Sequence, residues 1–164
     1  PDCAYSTAVC ARFSGCRNTE NFVKAINRLA WYVIDTEEDH VLTFWRSESS
    51  SGLNAFTDAS LANCPITRKS HYGYFLRYGE NIFGWRSKLQ SIPALSSRDS
   101  ELIASVECIK HLLGVRFFLC ETGFLHNGPT PVRIDNKASL EGIRNDKISK
   151  SSMYMGYRLA WVRH

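Results

Sequence analysis

The chain has 164 residues, 44% of them hydrophobic and 22% charged, which excludes a disordered segment and suits one ordinary domain or a small domain with an appendage. Its net charge of +4 leans mildly toward polyanionic partners and decides nothing alone. No run approaches the roughly 20 apolar residues that a membrane helix needs, and the start, Pro1-Asp-Cys-Ala-Tyr5, lacks an initiator Met and a signal-peptide pattern, so an excised piece of something longer is expected.

In chain order, the first periodic segment is 19–35. Phe22, Val23, Ile26, Leu29, Ala30 and Val33 recur at three- and four-residue spacing, with Asn18 or Thr19 as N-cap. Val41-Leu-Thr-Phe-Trp-Arg46 is β-prone. Ser47-Glu-Ser-Ser-Ser-Gly52 has linker composition and marks the main boundary, dividing 1–46 from 53–164.

Three strands are expected next: Leu53–Thr57, His71–Tyr78 and Ile82–Leu89. The last two are joined by Gly79-Glu-Asn81, whose glycine supplies hairpin turn chemistry. Residues 99–113 form a helix with Leu102, Ile103, Val106, Ile109, Leu112 and Leu113 on one stripe. A strand over 131–135, a short helix over 137–143 and a helix over 150–162 follow. The last helix carries Met153, Tyr157, Ala160 and Trp161 roughly on one side. A strand that follows a helical crossover joins its sheet in parallel. The expected fold class is therefore α/β: a mixed sheet of three antiparallel strands and one parallel strand, flanked by helices.

The six cysteines include no Cys-x-x-Cys pair. Cys108 and Cys120 lie in apolar stretches where a reduced thiol packs as a small hydrophobe, so mostly free cysteines are expected.

Three carboxylates stand where burial would need a reason. Asp58 ends the first strand, Glu101 opens the long helix and Asp135 ends the strand Val132-Arg-Ile. Adjacent strand ends and a helix start can bring all three to one sheet edge. Such a cluster without histidine suits Mg²⁺ or Mn²⁺, because hard cations take oxygen ligands. Two such ions about 3.5–4 Å apart can serve phosphodiester hydrolysis. Taken singly, each acid is equally a turn, cap or helix-dipole residue.

The ordered set Phe56-Thr-Asp-Ala-Ser60, Ser96-Ser-Arg-Asp-Ser-Glu-Leu-Ile-Ala104 and Arg133-Ile-Asp-Asn-Lys-Ala-Ser139 resembles the three leading acidic motifs of ribonuclease H in copia-type LTR retrotransposon Pol polyproteins. Asn63–Ser70, Gly73-Tyr and Trp85–Gln90 are similar to that family's intervening hairpin, and residues 1–46 resemble the tail of its reverse transcriptase/connection region. The resemblance implies a ribonuclease-H-like domain over 53–164, lacking the usual last strand and helix. It implies metal-dependent cleavage of the RNA strand of an RNA–DNA hybrid, with Asp58, Glu101 and Asp135 as catalytic and metal ligands. Asp99 is the rival of Glu101, and the Glu-Leu-x-Ala order favours Glu101.

Arg68, Lys69, Arg86, Lys88 and Lys137 are the residues the resemblance offers to a nucleic-acid backbone. The family's fourth carboxylate has no counterpart in this chain, and Lys150-Ser-Ser-Met-Tyr-Met-Gly-Tyr157 replaces a basic-His-Ile-Asp pattern. The alternative is therefore a catalytically inactive, domesticated domain that binds or scaffolds within a larger assembly. Expected partners are the hybrid and the remainder of a Pol polyprotein, with no membrane. The expected location is intracellular, in the cytoplasm or virus-like particles, with an organelle left open.

Overall fold

A computed structural model describes residues 1–15, 19–39, 41–46, 52–124, 128–144 and 155–163. Helices α1 (Ala4–Phe13) and α2 (Glu20–Asp35) precede strands β1 (Leu53–Ser60), β2 (His71–Tyr78) and β3 (Asn81–Leu89). The long helix α3 (Ser97–Glu121) leads to β4 (Val132–Ile134), α4 (Lys137–Arg144) and α5 (Gly156–Arg163). The sheet order is β3-β2-β1-β4. β1 and β2 pair antiparallel, as do β2 and β3, and β4 joins β1 in parallel. This is the mixed sheet expected of a ribonuclease-H-like fold. Among the described residues no strand lies beyond β4.

Alternation sorts the strands into two faces. Leu53 and Ala55 of β1 and Tyr72, Tyr74 and Leu76 of β2 are buried against Ala104, Cys108 and Leu112 of α3. Burying a leucine such as Leu76 fully is worth about 2 kcal/mol, so this layer carries much of the fold. A second cluster forms behind α3, where Leu102 meets Met155 and Leu159 with Ile143 and Val162 beside them. The first turns of α3 are thus enclosed on both sides. Asp99 to Ser105 are all buried, although the helix shows no single apolar face.

Local chemistry sets the ends. Ser96 caps α3 by accepting the Asp99 N–H at 3.1 Å. The helix runs through Gly114 and stops before Gly123, whose φ of 75° suits a glycine. Thr19 caps α2 by accepting the Phe22 N–H at 3.4 Å. Gly79, at φ 59°, makes the tight turn between β2 and β3.

Several expectations change. Residues 41–46 form no strand. They are irregular and exposed, held at Trp45, whose N–H donates to Asn81 Oδ1 at 2.6 Å while Asn81 Nδ2 donates to its carbonyl at 2.8 Å. The inner side of α5 is Leu159 and Val162, whereas Tyr157 is 96% exposed and Trp161 faces outward. Met153, Asn18 and linker residues 47–51 lie outside the described residues. Helix α1 had no clear periodic signal in the sequence. It packs at β3, with the Tyr5 ring 4.8 Å edge-on to His71. Cys3, Cys10, Cys64, Cys108 and Cys120 are free thiols, and Cys16 lies outside the described residues.

Candidate functional site

β1 and β4 run side by side in parallel, with Thr57 opposite Ile134. β1 continues to Ser60, so Asp58 lies inside the strand opposite Gly73 rather than at its end, beside Asp135 just past β4. Asn136 follows at once and caps α4, its Oδ1 accepting the Ser139 N–H at 2.9 Å. Asp135 is therefore fixed in a two-residue joint between strand and helix. Asp58 and Asp135 are both exposed and line one groove.

Glu101 arrives from α3 and is 6% exposed. Its Oε1 accepts the Ala59 N–H at 3.3 Å, while Oε2 is buried without a donor. Burial, followed by the charge and close approach of Asp58 and the charge of Asp135, pushes the Glu101 carboxyl up to about 7, against the Ala59 hydrogen bond that lowers it. Two carboxylates in contact hold together only when a proton or a cation lies between them. The orphaned Oε2 and the raised affinity for a proton mark the place where positive charge is wanted.

The donor set is all oxygen, which suits a hard divalent cation. The closure is incomplete: the charges of Asp58 and Asp135 act on Glu101, but among the described residues no group of three His, Cys, Asp or Glu side chains is placed to hold a metal ion.

Asp99 is no rival for this site. Its Oδ1 accepts from Arg158 Nη1 of α5 at 3.1 Å and its Oδ2 accepts the Leu95 N–H at 3.0 Å, so it is consumed in tying α5 and the loop to α3. His71 is likewise occupied. It is buried, its Nε2 lies 2.9 Å from Ser87 Oγ, and burial lowers its proton affinity.

The sheet face opposite α3 was not anticipated as a unit. Phe56 and Phe75 stack with centroids 4.5 Å apart, and the guanidinium groups of Arg77 and Arg133 each lie 5.4 Å from the Phe56 ring. Trp85, paired with Phe75 and 40% exposed, extends the row to β3. Tyr74 is in the core instead. Only strand register brings these residues together, and the sequence does not print register.

The basic residues fall around the same end of the sheet. Arg68 and Lys69 precede β2, and Lys69 Nζ donates to the Ser91 carbonyl at 2.5 Å. Arg86 and Lys88 lie on β3 opposite Tyr74 and Tyr72, and Lys137 opens α4 two residues after Asp135. Of these, Arg86 lines the groove that holds Asp58 and Asp135.

With this geometry in place, the chain can be set beside known proteins. It is 30% identical over 163 residues to the retrovirus-related Pol polyprotein from transposon TNT 1-94 of Nicotiana tabacum. This chain is related to retrotransposon Pol polyproteins. The match covers 99% of the chain and 12% of that relative, so the Pol-related domain spans a small part of the relative's length. No family model matches the chain, and no solved structure matches it. No helix among the described residues of the Pol-related domain is long and apolar enough to cross a membrane.

Proposed function

We propose that this Pol-related domain is a retrotransposon-type ribonuclease H that cleaves the RNA strand of RNA–DNA hybrids. The observation that carries the reading is the buried Glu101 carboxyl, without a donor at Oε2 and held toward its protonated form by burial and by the charges of Asp58 and Asp135. Burying an acid this way costs stability once it ionises, unless a bound cation takes the place of its proton.

Asp58, Glu101 and Asp135 would hold Mg²⁺ or Mn²⁺. Bound there, the ion would polarise the scissile phosphate and acidify a water. The protein's own part is to hold the acids. The Ala59 N–H orients Glu101, the β1–β4 pairing sets Asp58 within β1 beside Asp135 just past β4, and Asn136 locks the turn beyond. When Glu101 loses its proton, the three acids carry the charge that attracts the cation.

Arg68, Lys69, Arg86, Lys88 and Lys137 would meet phosphates, which position a duplex without reading its sequence. A hybrid would be recognised by shape and 2′-hydroxyls. Kinship to Pol polyproteins fits a place within a longer chain.

The second reading, a non-catalytic binding or scaffold domain, draws on the unclosed acid group. A labelled RNA–DNA hybrid incubated with the protein and Mg²⁺ or Mn²⁺ separates the two. Metal-dependent RNA cleavage, lost in Asp58→Asn, is expected. Hybrid bound but left intact with both metals would favour the scaffold.

A further inference from the structure

A second cleft lies across the edge strand from the carboxylate groove, between β3 and the middle of α3. It is lined by Tyr74, Trp85, Arg86, Glu107, Lys110 and His111. Arg86 stands opposite Tyr74 in the β2–β3 pairing. His111 stands against the sheet, its ring centroid 5.7 Å from that of Tyr74, over the bare Gly84, where an added Cβ would come within 3.5 Å of its Cε1. Lys110 and His111 are exposed. The one acid, Glu107, is already engaged by Lys110 Nζ at 2.8 Å. The cleft therefore offers the Arg86 guanidinium and the His111 imidazole, with the Lys110 ammonium shared with Glu107, for one net positive charge.

We propose that this cleft is an auxiliary phosphate site for a nucleic-acid strand that also crosses the carboxylate groove. Continuity argues for a polymer rather than a free anion. Trp85 and Arg86 line both the groove and the cleft, so the two share a wall at β3. With strands about 4.8 Å apart, β1 and β3 are separated by roughly 10 Å. One strand can thus keep a phosphate near Asp58 and another beyond Trp85. The indole offers a face for a sugar or base between them. This rests on the nucleic-acid reading given above. It adds Lys110 and His111 to the contacts and does not depend on cleavage.

The test is a fluorescence anisotropy titration of a labelled RNA–DNA hybrid at several salt concentrations, without divalent metal, comparing the natural chain with Lys110→Ala/His111→Ala. Both side chains are exposed and the Lys110–Glu107 pair is a surface pair worth little, so the variant should fold; a matching melting curve checks this. Affinity is expected to fall about tenfold at low salt, and the log–log salt slope to become shallower by about one phosphate contact. Unchanged affinity and slope would overturn the site. So would a variant that loses only binding of inorganic phosphate, since the cleft would then be a free-anion pocket. Natural protein that binds hybrid through this cleft but never cleaves it would sink the nuclease reading and leave the site standing. Natural protein that binds no hybrid would sink both.

Discussion

The backbone N–H of Ala59 donates to Glu101 Oε1 across 3.3 Å, so the residue that follows Asp58 holds the helix glutamate against the strand aspartate. That single bond leaves Oε2 buried and unserved. A glutamine at 101 would keep the acceptor for Ala59 and supply an amide donor where Oε2 now lies. Glu101→Gln is expected to stabilise the fold at pH 8 by about 1–3 kcal/mol, because a buried charge disappears. Hybrid cleavage should fall by about a hundredfold or more, since losing even an outer-shell partner of a metal ligand costs ten- to a hundredfold. Urea midpoints at pH 8 check the first half, and a destabilised variant would show that Oε2 has a hydrogen-bond donor in solution.

Asp58→Asn addresses the other member of the contact. Asp58 is exposed, so its replacement should change stability by less than about 0.5 kcal/mol on its own account. The Glu101 titration near 7 should move downward but stop short of an ordinary glutamate, because burial is the larger cause and burial remains. Carboxyl carbon NMR across pH 4–9 reads this directly. A titration that does not move would mean Asp58 and Glu101 are farther apart in solution.

Asp99 and Arg158 make the structural counterpart of the site. Asp99 is 2% exposed and links α5, α3 and the loop before α3, while Arg158 is partly open to solvent. Arg158→Ala would strip a buried carboxylate of its counter-charge and leave it one backbone donor at Leu95. A loss of about 1–3 kcal/mol is expected, below the value for a wholly buried pair because water reaches Arg158. Denaturation that shifts by less than about 0.5 kcal/mol would show that water replaces the guanidinium at no cost.

Most strands were legible because alternation and turn chemistry are local. Gly79 marked the hairpin, and the bounds of β2 follow from its own residues. The parallel placement of β4 followed from a general rule about crossovers. Helix α3 proved longer than its stripe because Gly114 interrupts the apolar pattern without breaking the hydrogen bonds. The inner side of α5 was misread. Large rings at Tyr157 and Trp161 look like core, but the space behind α3 is filled by Leu159 and Met155. At the site, Asp135 after β4 and Glu101 in the first turns of α3 stood where the sequence put them, whereas Asp58 lies inside β1, which runs on to Ser60 because Ala59 and Ser60 still pair with Tyr72 and His71. The commitment of Asp99 to Arg158 was not visible, since it joins residues 59 positions apart. The same limit hid the Phe56–Phe75 stack and the cleft at His111.

The last prediction concerns pH and divalent metal together. Glu101 has a folded-state pKa of about 7 against an ordinary 4.5. Between those values the native state holds a proton that the unfolded chain has released, so stability must fall as pH rises through that window. The protonated form's advantage is complete below about 4.5 and gone above about 7, with a ceiling of about 3 kcal/mol. A cation bound among Asp58, Glu101 and Asp135 would displace this proton and reverse the penalty. Mg²⁺ at roughly ten times its dissociation constant would then stabilise the fold by about 1.4 kcal/mol at pH 8. At pH 5.5 the proton competes, and the increment should nearly vanish. Thermal melts with and without Mg²⁺ at the two pH values measure both effects, and Glu101→Gln should flatten the pH slope and remove the Mg²⁺ increment at once. An Mg²⁺ increment equal at both pH values, or one that survives in Glu101→Gln, would place the cation elsewhere. A natural chain whose stability is level from pH 4.5 to 7 would show that Glu101 is not held protonated at all.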